Sequence, residues 1–257
     1  VTTARYILAF AGAVCLVCAV MVSGSAVALR DLQAANAEQE RQRNVLFAAG
    51  LADPGEELSE ADMAERFAAV RAVVVDLETG EELPDVDPTS VDPLVEAGIT
   101  DSSRAAPENL ARIRRVERRS VVYLVEAEGR LDAVVLPVRG QGLWSVLYGY
   151  LALDADLDTV RGLTFYEHKE TPGLGGEVDN PNWKALWPGR RVFGTAGEPI
   201  IEVARAAAGP VAEDPHRVDG LAGATMTSRG VTNLLRFWLA ESGFGPFLER
   251  LRGEAAG

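Results

Sequence analysis

The chain has 257 residues, 47% hydrophobic and 25% charged, enough apolar material for one sizeable core or two small ones. With 38 acidic against 25 basic residues its formal charge is −13, and a surface of that sign repels polyphosphate, which argues against a nucleic-acid partner. Its two cysteines, Cys15 and Cys18, both lie in the apolar N-terminal stretch, and His168 and His216 are far apart, so neither a disulfide scaffold nor a metal site is expected.

No charged residue occurs from Tyr6 to Leu29, and Arg5 and Arg30 bracket the run. About 24 residues at roughly 1.5 Å each reach about 36 Å, enough for a hydrocarbon core of about 30 Å. Residues 1–30 are therefore read as a transmembrane anchor. Ala26-Val27-Ala28 also resembles a signal-peptide cleavage site, but the apolar run is longer than a usual signal core. Arg5 is opposed by Arg30, Arg41 and Arg43, so charge bias does not set the orientation. Cys15 and Cys18 share a helix face and are read as small polarizable residues of a membrane helix rather than as a redox or metal pair.

Asp31–Leu51 continues as a polar helix with Gly50 as its C-cap, and Ser59 with Asp62 forms a loose capping box for a helix over Ser59–Val70. β-branched residues then predict a strand ending at a Thr79-Gly80 turn. Pro84, Pro88, Pro93 and Pro107 predict an irregular segment and a boundary near residue 110, giving an acidic N-terminal part over 31–110 and a core over 111–257. The basic cluster Arg112, Arg114, Arg115, Arg118 and Arg119 is read as a solvated face balanced by nearby acids. The runs "SVVYLVEA", "RLDAVVLPV", "LWSVLYGYLAL" and "VRGLTFYEH" read as strands, the first two joined by a hairpin at Glu128-Gly129-Arg130. Short turns between successive strands imply a mostly antiparallel sheet, and flanking helices make the class α+β.

Two stretches stand apart. "HKETPGLGGEVDNPNW" (His168–Trp183) packs four glycines or prolines into Pro172–Gly176, so it is either a surface turn or a loop whose backbone closely approaches a ligand. "NPNWKALWPGRRVF" follows as a short helix begun by Asn180-Pro181 and stopped by Pro188-Gly189. The second stretch is "DGLAGATMTSRGVTNLL" (Asp219–Leu235), a glycine turn running into a helix expected to begin near Thr227 or Ser228. Val231, Leu234, Leu235, Trp238 and Leu239 give that helix one apolar face. Three readings of its hydroxyls stay open on local physics: Thr227 or Ser228 caps the helix, the helix end binds a free phosphate-bearing ligand, or Thr225 itself carries a phosphate ester. No Gly-Lys-Ser/Thr follows the glycines, which argues against Walker-type nucleotide binding.

"DGLAGAT" resembles the flavinylation motif Asp-x-x-Ser/Thr-Gly-Ala-Thr/Ser, in which the phosphate of FMN is esterified to the last hydroxyl residue. The blocks from "GLWSVLYGYLALD" through "ETPGLGGEVDNPNWKALWPGRRVF", together with "GFGPFL" and the juxtamembrane "RQRNVLFAAGL", resemble the C subunit of the sodium-translocating NADH:quinone oxidoreductase. The resemblance covers nearly the whole chain and is weakest from about Asp53 to Glu117. The G subunit of the ferredoxin:NAD oxidoreductase complex shares the FMN domain, but "ETPGLGGEVDNPNW" and the long acidic N-terminal half favour the quinone-reductase family. A third reading is an anchored extracytoplasmic flavoprotein outside any pump.

The resemblance implies that 111–257 is a covalent FMN-binding domain with FMN on Thr225, and that Asp219, Gly223 and Ala224 form the motif read by a separate flavin transferase. Thr227 and Ser228 would lie beside the phosphate as helix-start donors. Glu170, Thr171, Leu174, Gly175 and Gly176 would line the flavin, with Trp144 and Ser145 on the strand beside it. Ala222 departs from the motif, which has Ser or Thr there. The implied role is electron relay toward quinone within a six-subunit sodium-pumping complex of the bacterial inner membrane, with the FMN domain periplasmic. The chain would hold no metal and no catalytic residue of its own.

Overall fold

The computed structural model describes residues 2–53, 55–56 and 58–255, and the chain divides into two compact units, Val1–Gln42 and Arg43–Gly257. The first unit is the larger part of one helix, α1 (Thr2–Ala48). Its span Thr3–Arg30 is long and apolar enough to cross a membrane, and none of its most apolar window is buried against protein. Tyr6, Leu8 and Val22 are each at least 70% exposed. Cys15 and Cys18 are free and exposed on this helix, and no group of metal-ligating side chains occurs among the described residues.

The second unit opens with the last turns of α1, where Val45, Leu46 and Ala48 are buried. The helix closes in a Schellman motif: Leu51 N–H donates to the Leu46 carbonyl (2.9 Å) and Gly50 N–H to that of Phe47 (3.2 Å), with Gly50 at φ +67°. α2 (Glu60–Phe67) starts at the expected capping box, in which the Ser59 hydroxyl accepts from Asp62 N–H and the Asp62 carboxylate from Ser59 N–H. β1 (Val70–Asp76) follows.

The proline-rich segment, expected to be irregular, holds short elements instead: a 3-10 turn at Pro88–Ser90, α3 (Pro93–Gly98) and β2 (Ser103–Ala105). Pro88 and Pro93 each take the first helical positions, behind Asp87 and Asp92, whose carboxylates accept the next free N–H groups. Proline is preorganised there because the N–H it lacks has no helical partner.

β3 (Arg115–Glu117) pairs with β2, and β4 (Arg119–Ala127), β5 (Arg130–Gln141), β6 (Val146–Asp154) and β7 (Val160–Glu167) complete a sheet ordered β1-β4-β5-β6-β7, antiparallel throughout. The predicted hairpin closes through Glu128 and Gly129, at φ 53° and 74°, the double left-handed turn that matches strand twist. β1 pairs with β4 over its whole length, so residues on both sides of the boundary expected near 110 share one sheet. The compact units separate after Gln42 instead. The remaining elements are a 3-10 turn at Gly175–Asp179, α4 (Pro181–Lys184), β8 (Glu202–Val203), β9 (Arg217–Val218), α5 (Thr225–Leu239) and α6 (Gly245–Ala255).

Alternation along the strands feeds two cores. Val122, Leu124, Val134, Leu136 and Leu151 join Val231, Leu234, Leu235 and Trp238 of α5 and Phe247 of α6. Val121, Tyr123, Val125, Val135 and Ala152 join Val45, Leu46 and Met63 on the other face. Helices cover both faces, which is why the strands read as nearly continuous apolar runs. The backbones come close: a Cβ on Gly140 would lie 2.5 Å from Leu234 Cβ, and one on Gly162 2.5 Å from the Ala48 carbonyl oxygen. Part of the basic cluster finds local partners, Arg119 on Glu96 and Arg118 on Glu78 (3.7 Å), while Arg115 donates to the Ser103 hydroxyl (2.8 Å).

Candidate functional site

α5 begins at Thr225, earlier than the start expected near Thr227 or Ser228. No side chain caps it: the preceding residue is Ala224, and the Ser228 N–H makes the first return bond, to the Ala224 carbonyl at 3.0 Å. The start is held from inside the protein instead. Thr227, fully buried, donates its hydroxyl to Glu170 Oε2 at 2.6 Å, and buried Ser228 Oγ accepts the Leu221 N–H at 3.2 Å. Of the three hydroxyls only that of Thr225 is exposed. The N–H groups of Thr225, Met226 and Thr227 have no acceptor among the described residues, so the positive end of the helix lies open at this threonine.

Glu170 organises the opposite wall. Its carboxylate, on a residue 5% exposed, accepts from the N–H groups of Leu143 (3.3 Å), Trp144 (2.9 Å) and Ser145 (3.2 Å) as well as from Thr227. Burial pushes this carboxyl's pKa up, but the Thr227 hydroxyl and the three N–H groups together outweigh it and hold the group below the usual glutamate range. Glycine leaves room for the arrangement. A Cβ on Gly175 would meet Thr227 Oγ1 at 2.5 Å and Glu170 Oε2 at 2.7 Å, and one on Gly142 would meet Glu170 Oε1 at 2.6 Å. The Thr171 carbonyl accepts from Leu174 (3.1 Å) and Gly176 (2.9 Å), folding the loop back on itself, and Ser145 Oγ accepts the Lys169 N–H at 2.7 Å.

The turn before α5 is pinned too. Asp219 accepts the Ala208 N–H on its carboxylate (2.7 Å) and the Trp183 indole N–H on its carbonyl (2.9 Å). Gly223 adopts φ +69° with Leu174 against it, 2.9 Å from where a Cβ would stand. Ala222, where the motif has a hydroxyl, is exposed, and the nearby Leu221 N–H is served by Ser228.

The structure thus joins Trp144, Ser145 and Thr227 through hydrogen bonds to Glu170, with Gly176 bonded to the Thr171 carbonyl, Gly175 packed against Thr227 and Glu170, and Leu174 against Gly223. Trp144, Leu174 and Met226 are 69%, 43% and 47% exposed. The residues fit a flavin mononucleotide in kind: an exposed hydroxyl at a helix end with free N–H groups for a phosphate, and exposed apolar side chains on the adjoining loops for a planar ring. Sequence reading did not find the cleft of about 250 Å³ beside Thr225, whose lining includes Arg205, Arg229, Arg236 and Glu202. Arg229, four residues after Thr225 on one helix face, was within reach of that reading, whereas Arg205 carries no local signal.

Residues 142–240 match the family described as FMN-binding domain. The C subunit of the Na(+)-translocating NADH-quinone reductase of Pseudomonas aeruginosa is 51% identical over 247 residues, covering 94% of this chain and 94% of its own. The chain belongs to this C-subunit family. The corresponding protein of Yersinia pestis is 44% identical over 242 residues, 93% of this chain and 89% of its own. Among solved structures of the family, that of Shewanella oneidensis NqrC superposes with a TM-score of 0.76 at 33% identity, covering 84% of this chain and 99% of the other. That of Parabacteroides distasonis gives 0.65 at 26% identity, covering 86% and 96%. As a member of this family, the chain is a flavoprotein component of the NADH–quinone reductase and not of the ferredoxin-linked complex. Its Thr3–Arg30 helix suits a membrane complex.

Proposed function

We propose that this chain holds FMN as a phosphoester on Thr225 and relays electrons toward quinone within the sodium-translocating NADH–quinone reductase. The observation that carries the proposal is the division of labour among three hydroxyls: Thr227 and Ser228 are buried and bonded inside the protein, while Thr225 stands exposed beside unbonded N–H groups. Attachment is assigned to a flavin transferase that reads Asp219, Gly223 and Ala224. The Thr225 Oγ–phosphorus bond forms as an activated flavin phosphate loses its leaving group, and the hydroxyl proton goes with that group. The remaining phosphate charge is favoured at the helix end by a few tenths to about 1 kcal/mol.

Bound FMN would supply the redox centre, and the protein would supply position. Trp144, Leu174 and Met226 offer apolar surface to the ring, and Glu170 fixes the loops that bear the first two. The Thr227 N–H, left without an acceptor, would be a donor for the phosphate, whereas the Ser228 N–H is already bonded to Ala224. Residues 1–30 serve as anchor in the bacterial inner membrane, the flavin domain lies on the periplasmic side, and the other subunits of the six-subunit complex are its partners.

Mass spectrometry of the tryptic peptide containing Thr225, from protein purified from its native membrane, tests this. The expected peptide is heavier by FMN less one water, and Thr225→Ala gives folded, non-fluorescent protein. Covalent flavin retained in Thr225→Ala, or lost only in Thr227→Ala, would move the attachment point.

A further inference from the structure

The cleft beside Thr225 contains more positive charge than the protein uses. Most arginines of the folded unit are engaged: Arg139 on Glu117, Arg161 on Asp132 and Asp154, Arg191 on Asp158. Within the cleft Arg236 is engaged as well, donating to the carbonyls of Ile201 (2.9 Å) and Ile200 (2.8 Å) and pairing with Glu202 at 3.4 Å, which occupies the carboxylate there. Arg205 and Arg229 have no hydrogen-bond or ion-pair partner among the described residues, and both line this cleft with Thr225. In a chain with 38 acids and a net charge of −13, two arginines left free in one small cleft mark a place for an anion. They reach it from separate elements, Arg229 from α5 one turn beyond Thr225 and Arg205 from the segment after β8.

Building on the Thr225 ester, we infer that Arg205 and Arg229 hold the flavin phosphodiester and that the cleft between β8 and α5 is its seat. A phosphodiester keeps one negative charge and two unesterified oxygens, and guanidinium groups arriving from two sides can donate to both. At about 250 Å³ the cleft suits the phosphate and the start of the ribityl chain rather than the flavin ring, which is left to the Trp144 and Leu174 side. The arginines are positioning residues. They fix the tether and thereby limit the range of ring orientations.

The test uses the full-length chain produced together with a flavin transferase, as wild type, R205Q, R229Q, the R205Q/R229Q pair and the charge-keeping pair R205K/R229K. The readouts are FMN loading by intact mass, the phosphorus NMR resonance of the attached diester, and flavin fluorescence anisotropy. The expected result for R205Q/R229Q is a shifted phosphorus resonance and lower anisotropy with an unchanged unfolding midpoint, the single variants lying between and R205K/R229K staying near wild type. A diester resonance and anisotropy identical to wild type in the loaded R205Q/R229Q protein would overturn the inference while leaving the ester intact. Loading reduced several-fold with that same unchanged resonance would overturn it too, and assign the arginines to docking of the transferase. Wild type without FMN on Thr225 would remove the ester reading and this inference with it.

Discussion

Thr227 donates its hydroxyl to the Glu170 carboxylate at 2.6 Å, across 57 residues of sequence and inside the protein. Through this bond the start of α5, the loop after β7 and the turn before β6 are one unit, because the same carboxylate accepts the N–H groups of Leu143, Trp144 and Ser145. The exposed threonine at the head of the helix owes its position to a pair of residues that stand behind it.

Glu170→Gln keeps the shape but removes the charge and turns an amide NH2 toward two of the four donors, since each carboxylate oxygen accepts from two. Hydrogen bonds to a charged group contribute about 1.5–3 kcal/mol each, so a loss of at least about 2 kcal/mol is expected, read as a lower urea midpoint by tryptophan fluorescence. The pH dependence has a definite sign. The folded carboxyl titrates below its unfolded value, so its contribution is complete above the ordinary glutamate pKa and is lost as pH falls through the folded one. The stability gap between wild type and Glu170→Gln therefore closes on acidification; a gap unchanged from neutral pH to pH about 3 would show that Glu170 is not held as a carboxylate.

Gly175→Ala places a methyl 2.5 Å from Thr227 Oγ1 and 2.7 Å from Glu170 Oε2, contacts that separate the two partners. Overpacking of this kind costs about 1–3 kcal/mol. In flavin-loaded protein the variant is expected to shift the midpoint potential, because the loop assigned to the flavin moves with Glu170. An unaltered potential by redox titration would detach this loop from the flavin.

Asp219→Ala leaves the Ala208 N–H without its acceptor, costing about 1 kcal/mol, while Asp219→Asn keeps an acceptor oxygen and recovers most of that. Flavin loading is expected to fall in both variants if the transferase reads the carboxylate itself. Full loading of Asp219→Asn would confine the residue to holding the turn.

On β5, Arg139 forks onto Glu117 at 3.0 and 2.5 Å, and its guanidinium lies 4.7 Å from the ring centroid of Trp238. Glu117 is 1% exposed, so Glu117→Ala strands a charge in the interior and is expected to cost about 3–5 kcal/mol. A denaturation midpoint shifted by less than about 1 kcal/mol would mean that water reaches Arg139 in the variant.

Local chemistry makes several elements legible in the sequence itself. The Ser59 box, the Gly50 termination and the Glu128-Gly129 hairpin each depend on residues a few positions apart, and all three stand as read. α5 starts before the hydroxyls that local capping chemistry favours, because Thr227 and Ser228 spend theirs on Glu170 and Leu221. The boundary expected near residue 110 failed for a similar reason. Prolines announce turns, but only strand pairing could reveal that β1 adds to β4 on the far side of them.

By itself the sequence determined the apolar span of Thr3–Arg30, the α+β class and the likeness of Asp219–Thr225 to a flavin attachment motif, since these are written in composition, period and contiguous residues. Which hydroxyl stays exposed, which carboxylate ties the loops, and which arginines share a cleft with Thr225 were decided by the tertiary structure alone. Those relations join residues from distant parts of the chain, and burial and hydrogen bonding across such separations exist only once the sheet and α5 have packed.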